Sequence, residues 1–152
     1  MGNVTKHEYD KAVEKIGEYL HKFTGSKPSF SQDDPPRAER WWSTTSVSHA
    51  AITIEVIVAW FKGDPSIDVI LSSGVVKLPN ENLVAFFRQL LAWNYGATDV
   101  AHYGLDEAQN TIFLLLRRPF EGFDYPEFKD ALETISKVNM NGLMLLRQSF
   151  RF

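Results

Sequence analysis

Residues 51–61, Ala-Ile-Thr-Ile-Glu-Val-Ile-Val-Ala-Trp-Phe, constrain the fold more than any other stretch of the chain. Ile52, Ile54, Val56, Val58 and Trp60 recur at every second position, with Thr53, Glu55, Ile57 and Ala59 between them. A period of two sends the first set to one face of a β-strand and the second set to the other. Lys62-Gly63-Asp64-Pro65 follows as a hairpin connection. A further strand is predicted over residues 66–77, broken at Ser72-Ser73-Gly74, and an earlier one over residues 39–46, opened by Trp41-Trp42. Connections of hairpin length imply antiparallel pairing.

Helical periods flank this group. Thr5 and Glu8 form a capping box, and Tyr9, Val13, Ile16, Leu20 and Phe23 then share one face up to a stop at Gly25. The first helix is predicted over residues 5–24. Residues 25–40 are Ser/Pro-rich and read as a long connection without a core element, free to move and able to order on binding a partner. Leu78-Pro79-Asn80 is expected to open a second helix, running to about Asn94, because proline suits the first helical turn. Its Leu83, Phe86, Phe87, Leu90, Leu91 and Trp93 cover more than one face, so two surfaces must be buried. A second hairpin joins residues 97–105 to 111–118, whose continuous apolar run at 112–116 suits a central strand. Asp124 and Glu127 cap a last helix lined by Phe128, Leu132, Ile135 and Val138, with Gly142 as a bend or an end. The order is α-β-β-β-α-β-β-α. The expected class is α+β, a five-stranded, mainly antiparallel sheet with packed helices.

The chain has 152 residues, 44% of them hydrophobic, and no cysteine. Its length suits a single domain, residues 1–152, that buries roughly two-thirds of its unfolded surface. Global disorder, a disulfide scaffold and thiolate metal sites are excluded. Sixteen basic against 19 acidic residues give a net charge of -3, without the basic surplus on which nucleic-acid binding rests. No apolar run approaches the ~20 residues of a membrane helix, and the first residues carry no apolar signal segment. Lys6 stands where a myristoylation motif needs Ser or Thr. The expectation is a cytoplasmic protein without a nucleic-acid or membrane partner.

Catalytic constellations are sparse. None of the four histidines falls in an H-E-x-x-H pattern, and His102, in a strand, reads as structural. The glycines form no phosphate cradle, and no G-x-S-x-G elbow occurs. Asp33-Asp34 is a carboxylate pair in the Ser/Pro connection, where solvent and not a sheltered pocket surrounds it. No catalytic, cofactor or metal residue is assigned, and the chain is read as a non-enzyme. The aromatic pairs remain. Trp41-Trp42, Trp60-Phe61 and Phe86-Phe87 are adjacent in sequence, so each strand pair points to opposite faces. One reading of them is core packing with incidental exposure. The other is an apolar surface for a second copy or a client.

In the second half, Leu78-Pro79, Leu90-Leu91-Ala92-Trp93-Asn94, Gly104-Leu105-Asp106, the apolar 112–116, Arg118-Pro119-Phe120 and an acidic-capped helix follow one another. This succession resembles the type III secretion chaperones and the similar YbjN-like proteins, above all their uncharacterised cyanobacterial and plastid relatives. In that group a leucine-leucine-x-x-asparagine helix end precedes a strand pair whose first strand ends in glycine-leucine-aspartate. The resemblance covers residues 78–138 by motif and the remainder by element order. It implies a small acidic homodimer that binds other proteins. The leading expectation is therefore a non-catalytic, chaperone-like protein-binding module. Its dimer or partner surface is placed on Phe86, Phe87, Leu90 and Trp93, with Trp41 and Trp42 as a second aromatic surface. Two alternatives stand beside it. One is a small-ligand binder or enzyme with an aromatic cleft at Trp41, Trp42 and His102. The other, resting on the cyanobacterial resemblance, is an assembly factor for a photosynthetic complex.

Overall fold

The computed structural model describes residues 3–32, 39–96 and 101–150. The Asp33-Asp34 pair and the start of the second predicted hairpin lie outside them. Helix α1 (Lys6–Thr24) begins at the expected capping box, where the Thr5 hydroxyl accepts from the Glu8 N–H. Glu8 in turn accepts from the Thr5 N–H and hydroxyl, which holds its carboxyl below the usual glutamate range. Gly25, at φ 78°, ends the helix in the left-handed conformation that glycine adopts without strain.

Six strands follow the pattern of one antiparallel sheet: β1 (Ser31–Gln32), β2 (Arg40–His49), β3 (Ile52–Phe61), β4 (Asp68–Lys77), β5 (His102–Asp106) and β6 (Thr111–Pro119). Their spatial order is β1-β2-β3-β4-β6-β5. The α+β class is as the sequence reads, but among the described residues the sheet has six strands and not five. The additional one, β1, lies in the Ser/Pro connection, and two residues are too few to carry a hydrophobic period. The β2–β3 turn places Ala50 and Ala51 at φ 51° and 63°, a costly conformation for a residue with a Cβ.

Strand β4 is continuous through the predicted break. Ser72, Ser73 and Gly74 look like a turn in sequence, yet Ser73 is buried and donates to the Thr53 carbonyl at 3.0 Å. A buried asparagine from the last helix, Asn139, donates to Ser73 Oγ at 2.7 Å and to the Gly74 carbonyl at 3.0 Å. The register shifts between Gly74 and Val76 at that point, and the polar backbone of the bulge is satisfied from above the sheet.

Helix α2 (Leu83–Gly96) starts later than predicted. Leu78 N–H is bonded to the Asn110 carbonyl at 2.9 Å, and Asn82 sits at φ 58°, so the Pro79 turn is a connector ahead of the helix. Helix α3 (Tyr125–Ser149) is capped by Asp124 and Glu127 as expected, but it passes straight through Gly142. The Tyr103 hydroxyl lies against Gly142, so this glycine lets the helix approach β5 and does not bend it.

One core holds these parts together. Tyr9, Ile16 and Leu20 of α1 and Phe128, Leu132, Ile135 and Leu146 of α3 meet Ile54, Val56 and Val58 of β3, Leu71 of β4 and Leu114 of β6. The alternation in residues 51–61 separates the two faces, and the structure turns the Ile54, Val56 and Val58 set to the helices. Each such side chain, fully buried, contributes about 1.5–3 kcal/mol. Ile57 and Ala59 point to the opposite face, together with Trp42, Ile70 and Leu115 by register.

Candidate functional site

Helix α2 carries two opposed apolar stripes. At 100° per residue, Phe86, Leu90 and Trp93 fall on one side, while Val84, Leu91 and Tyr95 fall on the other. The structure turns the first stripe inward. Phe86 is fully buried against Phe150, ring centroids 5.2 Å apart, and Leu90 is 5% exposed. Trp93 is half-buried and stacks on Tyr103 at 5.6 Å. Phe86 and Leu90, expected on a partner surface, thus belong to the core, and Phe87 is half-buried beside them. The second stripe faces out, with Val84 74%, Leu91 67% and Tyr95 87% exposed. A groove of about 800 Å³ runs beside it, lined by Asn80, Leu83, Val84, Arg88 and Ala92. The spacing of seven and then four from Val84 to Leu91 and Tyr95 is the signal that would have found this stripe.

The end of α2 is fixed to the sheet by Asn94. Its side chain accepts from the Tyr103 N–H at 2.7 Å and donates to the Tyr103 carbonyl at 3.0 Å. A side-chain amide offers one donor and one acceptor, as a neighbouring strand would. The asparagine of the leucine-leucine-x-x-asparagine helix end therefore has a physical role on β5 that the sequence did not reveal. Tyr103 is itself part-buried, and desolvation holds its phenol above the usual tyrosine range.

The two adjacent tryptophans separate as their alternation requires. Trp41 packs on Trp60 at 4.4 Å and on Tyr9 at 5.5 Å, on the helix side of the sheet. The Tyr9 hydroxyl donates to the Val58 carbonyl at 2.8 Å and pairs with Ser43 Oγ at 2.7 Å. Trp42 lies on the other face, against Phe61 and under the Arg40 guanidinium. Asp68, buried on that same face, is bonded by Arg117 Nε at 2.9 Å. His102 is exposed on β5, with three strands between it and β2 in the sheet order. Strands spaced ~4.8 Å apart put it roughly 19 Å away. The proposed cleft of Trp41, Trp42 and His102 is therefore not assembled. Among the described residues no group of three or more His, Asp or Glu side chains is placed to hold a metal ion. No helix there is long and apolar enough to cross a membrane.

Residues 48–137, more than half of the chain, match the Tir chaperone protein (CesT) family. The chain belongs to that family. Solved structures similar to it include two complexes. The ExsC-ExsE complex contains a chain that superposes with a TM-score of 0.64 at 19% identity, covering 88% of this chain and 94% of that one. The HopA1-SchA chaperone-effector complex contains another, with a TM-score of 0.66 at 11% identity, covering 93% of this chain and 99% of that one. At such identities the likeness is one of fold. No curated protein matches the chain.

Proposed function

We propose that this member of the CesT family is a non-catalytic, cytoplasmic chaperone that binds protein clients as a homodimer. The observation that carries the dimer is the outward stripe of α2. Val84, Leu91 and Tyr95 form a long apolar row on a helix whose other side is already buried. A two-fold contact can cover the same row from both chains. The family match and the chaperone-effector complex among the similar folds support client binding. The open sheet face, with Trp42, Phe61 and the partly exposed Leu115, supplies apolar surface for it.

Light scattering on the full chain at micromolar concentration tests the dimer. The wild type is expected as a dimer and Val84→Asp/Leu91→Asp as a folded monomer, because neither side chain contributes to the core. A monomeric wild type would overturn the reading. For clients, the same variant is the control in affinity capture from a lysate. Trp93 is unsuitable for that purpose because its substitution would disturb β5 through Tyr103.

A further inference from the structure

The segment between α1 and β2 is seated as an extended ligand would be. Ser31 and Gln32 pair with Thr44 and Ser43 of β2, adding a strand of two exposed residues to a strand of ten. Just before them, Phe30 packs part-buried against the core. A Cβ on Gly17 of α1 would meet Phe30 Cε2 at 3.6 Å and Pro28 Cγ at 3.9 Å. A glycine inside a helix costs about 0.5–1 kcal/mol relative to alanine, and this one forms a notch under an aromatic ring. One ring in a notch and two strand pairs are a small set of contacts. Strands in sheets commonly run to ~5–6 residues, and an element this short opens at a fraction of the global unfolding free energy.

The two sheet edges are protected differently. On β5, Asn94 satisfies the Tyr103 N–H and carbonyl from a helix anchored in the core by Phe86 and Leu90. On β2, the protection comes from an extended piece of the chain itself. An unprotected edge is a template for any extended segment.

We propose that residues 28–32 are an intramolecular strap. It occupies the Gly17 notch and the β2 edge, and it opens to admit an extended segment of another protein carrying an aromatic residue flanked by small polar ones. The identity of that protein rests on the chaperone reading above; the strap itself does not. The strap holds the edge against promiscuous strand addition, and a segment gains the site only by outcompeting Pro-Ser-Phe-Ser-Gln for the notch and the pairing.

The test uses the full chain and a fluorescent peptide of its own residues 25–32. Because the chain lacks cysteine, Ser31→Cys/Thr44→Cys forms a single disulfide that locks the strap when oxidised. Phe30→Ser weakens the strap, and Gly17→Leu fills the notch. The expected result is peptide binding to Phe30→Ser at least about tenfold tighter than to wild type. Binding should be absent from the oxidised pair, regained on reduction, and absent from Gly17→Leu. Hydrogen exchange in residues 28–32 should be much faster than in β3 for the wild type and should slow in the oxidised pair. Equal peptide binding by the oxidised and reduced pair would overturn the proposal, as would exchange of residues 28–32 only with global unfolding. That comparison holds even if Phe30→Ser fails to fold. A strap that opens on a chain without clients would refute the chaperone reading alone. Clients bound equally by the locked chain would refute the strap alone.

Discussion

Gly142 and Tyr103 show how a single residue sets the distance between two elements. A methyl group at Gly142 would fall on the Tyr103 hydroxyl and within 3.3 Å of Cζ. Gly142→Ala should gain about 1 kcal/mol from helix propensity and lose about 1–3 kcal/mol to overpacking, for a net loss of stability. In a Tyr103→Phe background the hydroxyl is gone and the closest remaining contact is Cζ at 3.3 Å, so the same substitution should cost less stability than in the wild type. Denaturant midpoints of the four chains check this coupling. Tyr103 also predicts a pH effect. Its folded-state phenol titrates above the usual value, so the fold binds that proton more tightly than the unfolded chain does. The associated stability is complete below about pH 10 and is lost as pH rises through the folded value. Between pH 8 and pH 11, as test conditions, the wild type should lose more stability than Tyr103→Phe. The other tyrosines cancel in that difference.

At the scale of elements, the instructive case is the junction of α2 with β5. Asn94 lies in the last turns of a helix, where its side chain could have been solvated, and instead it completes the hydrogen bonding of a strand edge. Asn94→Ala should cost about 1–3 kcal/mol, since it leaves two backbone groups without their partners. It should also speed amide exchange at Tyr103 while leaving β3 unchanged, as measured by NMR. The motif in which this asparagine sits was legible as a family mark. Its function was not, because the two ends of the contact are nine residues apart and belong to different elements. The same holds for Ser72-Ser73-Gly74, read as a break. The Thr53 carbonyl and Asn139, 66 residues from Ser73, make that polar run compatible with a continuous buried strand.

The whole molecule is a sheet with helices α1 and α3 on one face and α2 against its β5 end, packed around one core. If α2 pairs with its copy, stability becomes coupled to association. The melting temperature of the wild type should then rise with protein concentration across the micromolar range, while that of Val84→Asp/Leu91→Asp should not. Calorimetry at several concentrations reads this directly. By itself the sequence determined what depends on local periods and caps: α1 and its two ends, the strand at residues 51–61 with its two alternating faces, the acidic cap of α3 and the α+β class. These are signals between residues within a few positions of one another, where geometry is set by 3.6 or 2 residues per repeat. Tertiary structure decided which stripe of α2 is core and which is surface, because both are apolar and only the position of Phe150 and Tyr103 distinguishes them. It likewise placed Trp41 and Trp42 far from His102, and it made a strand of Ser31 and Gln32, whose pairing comes from β2 and whose place is held by Phe30 against Gly17.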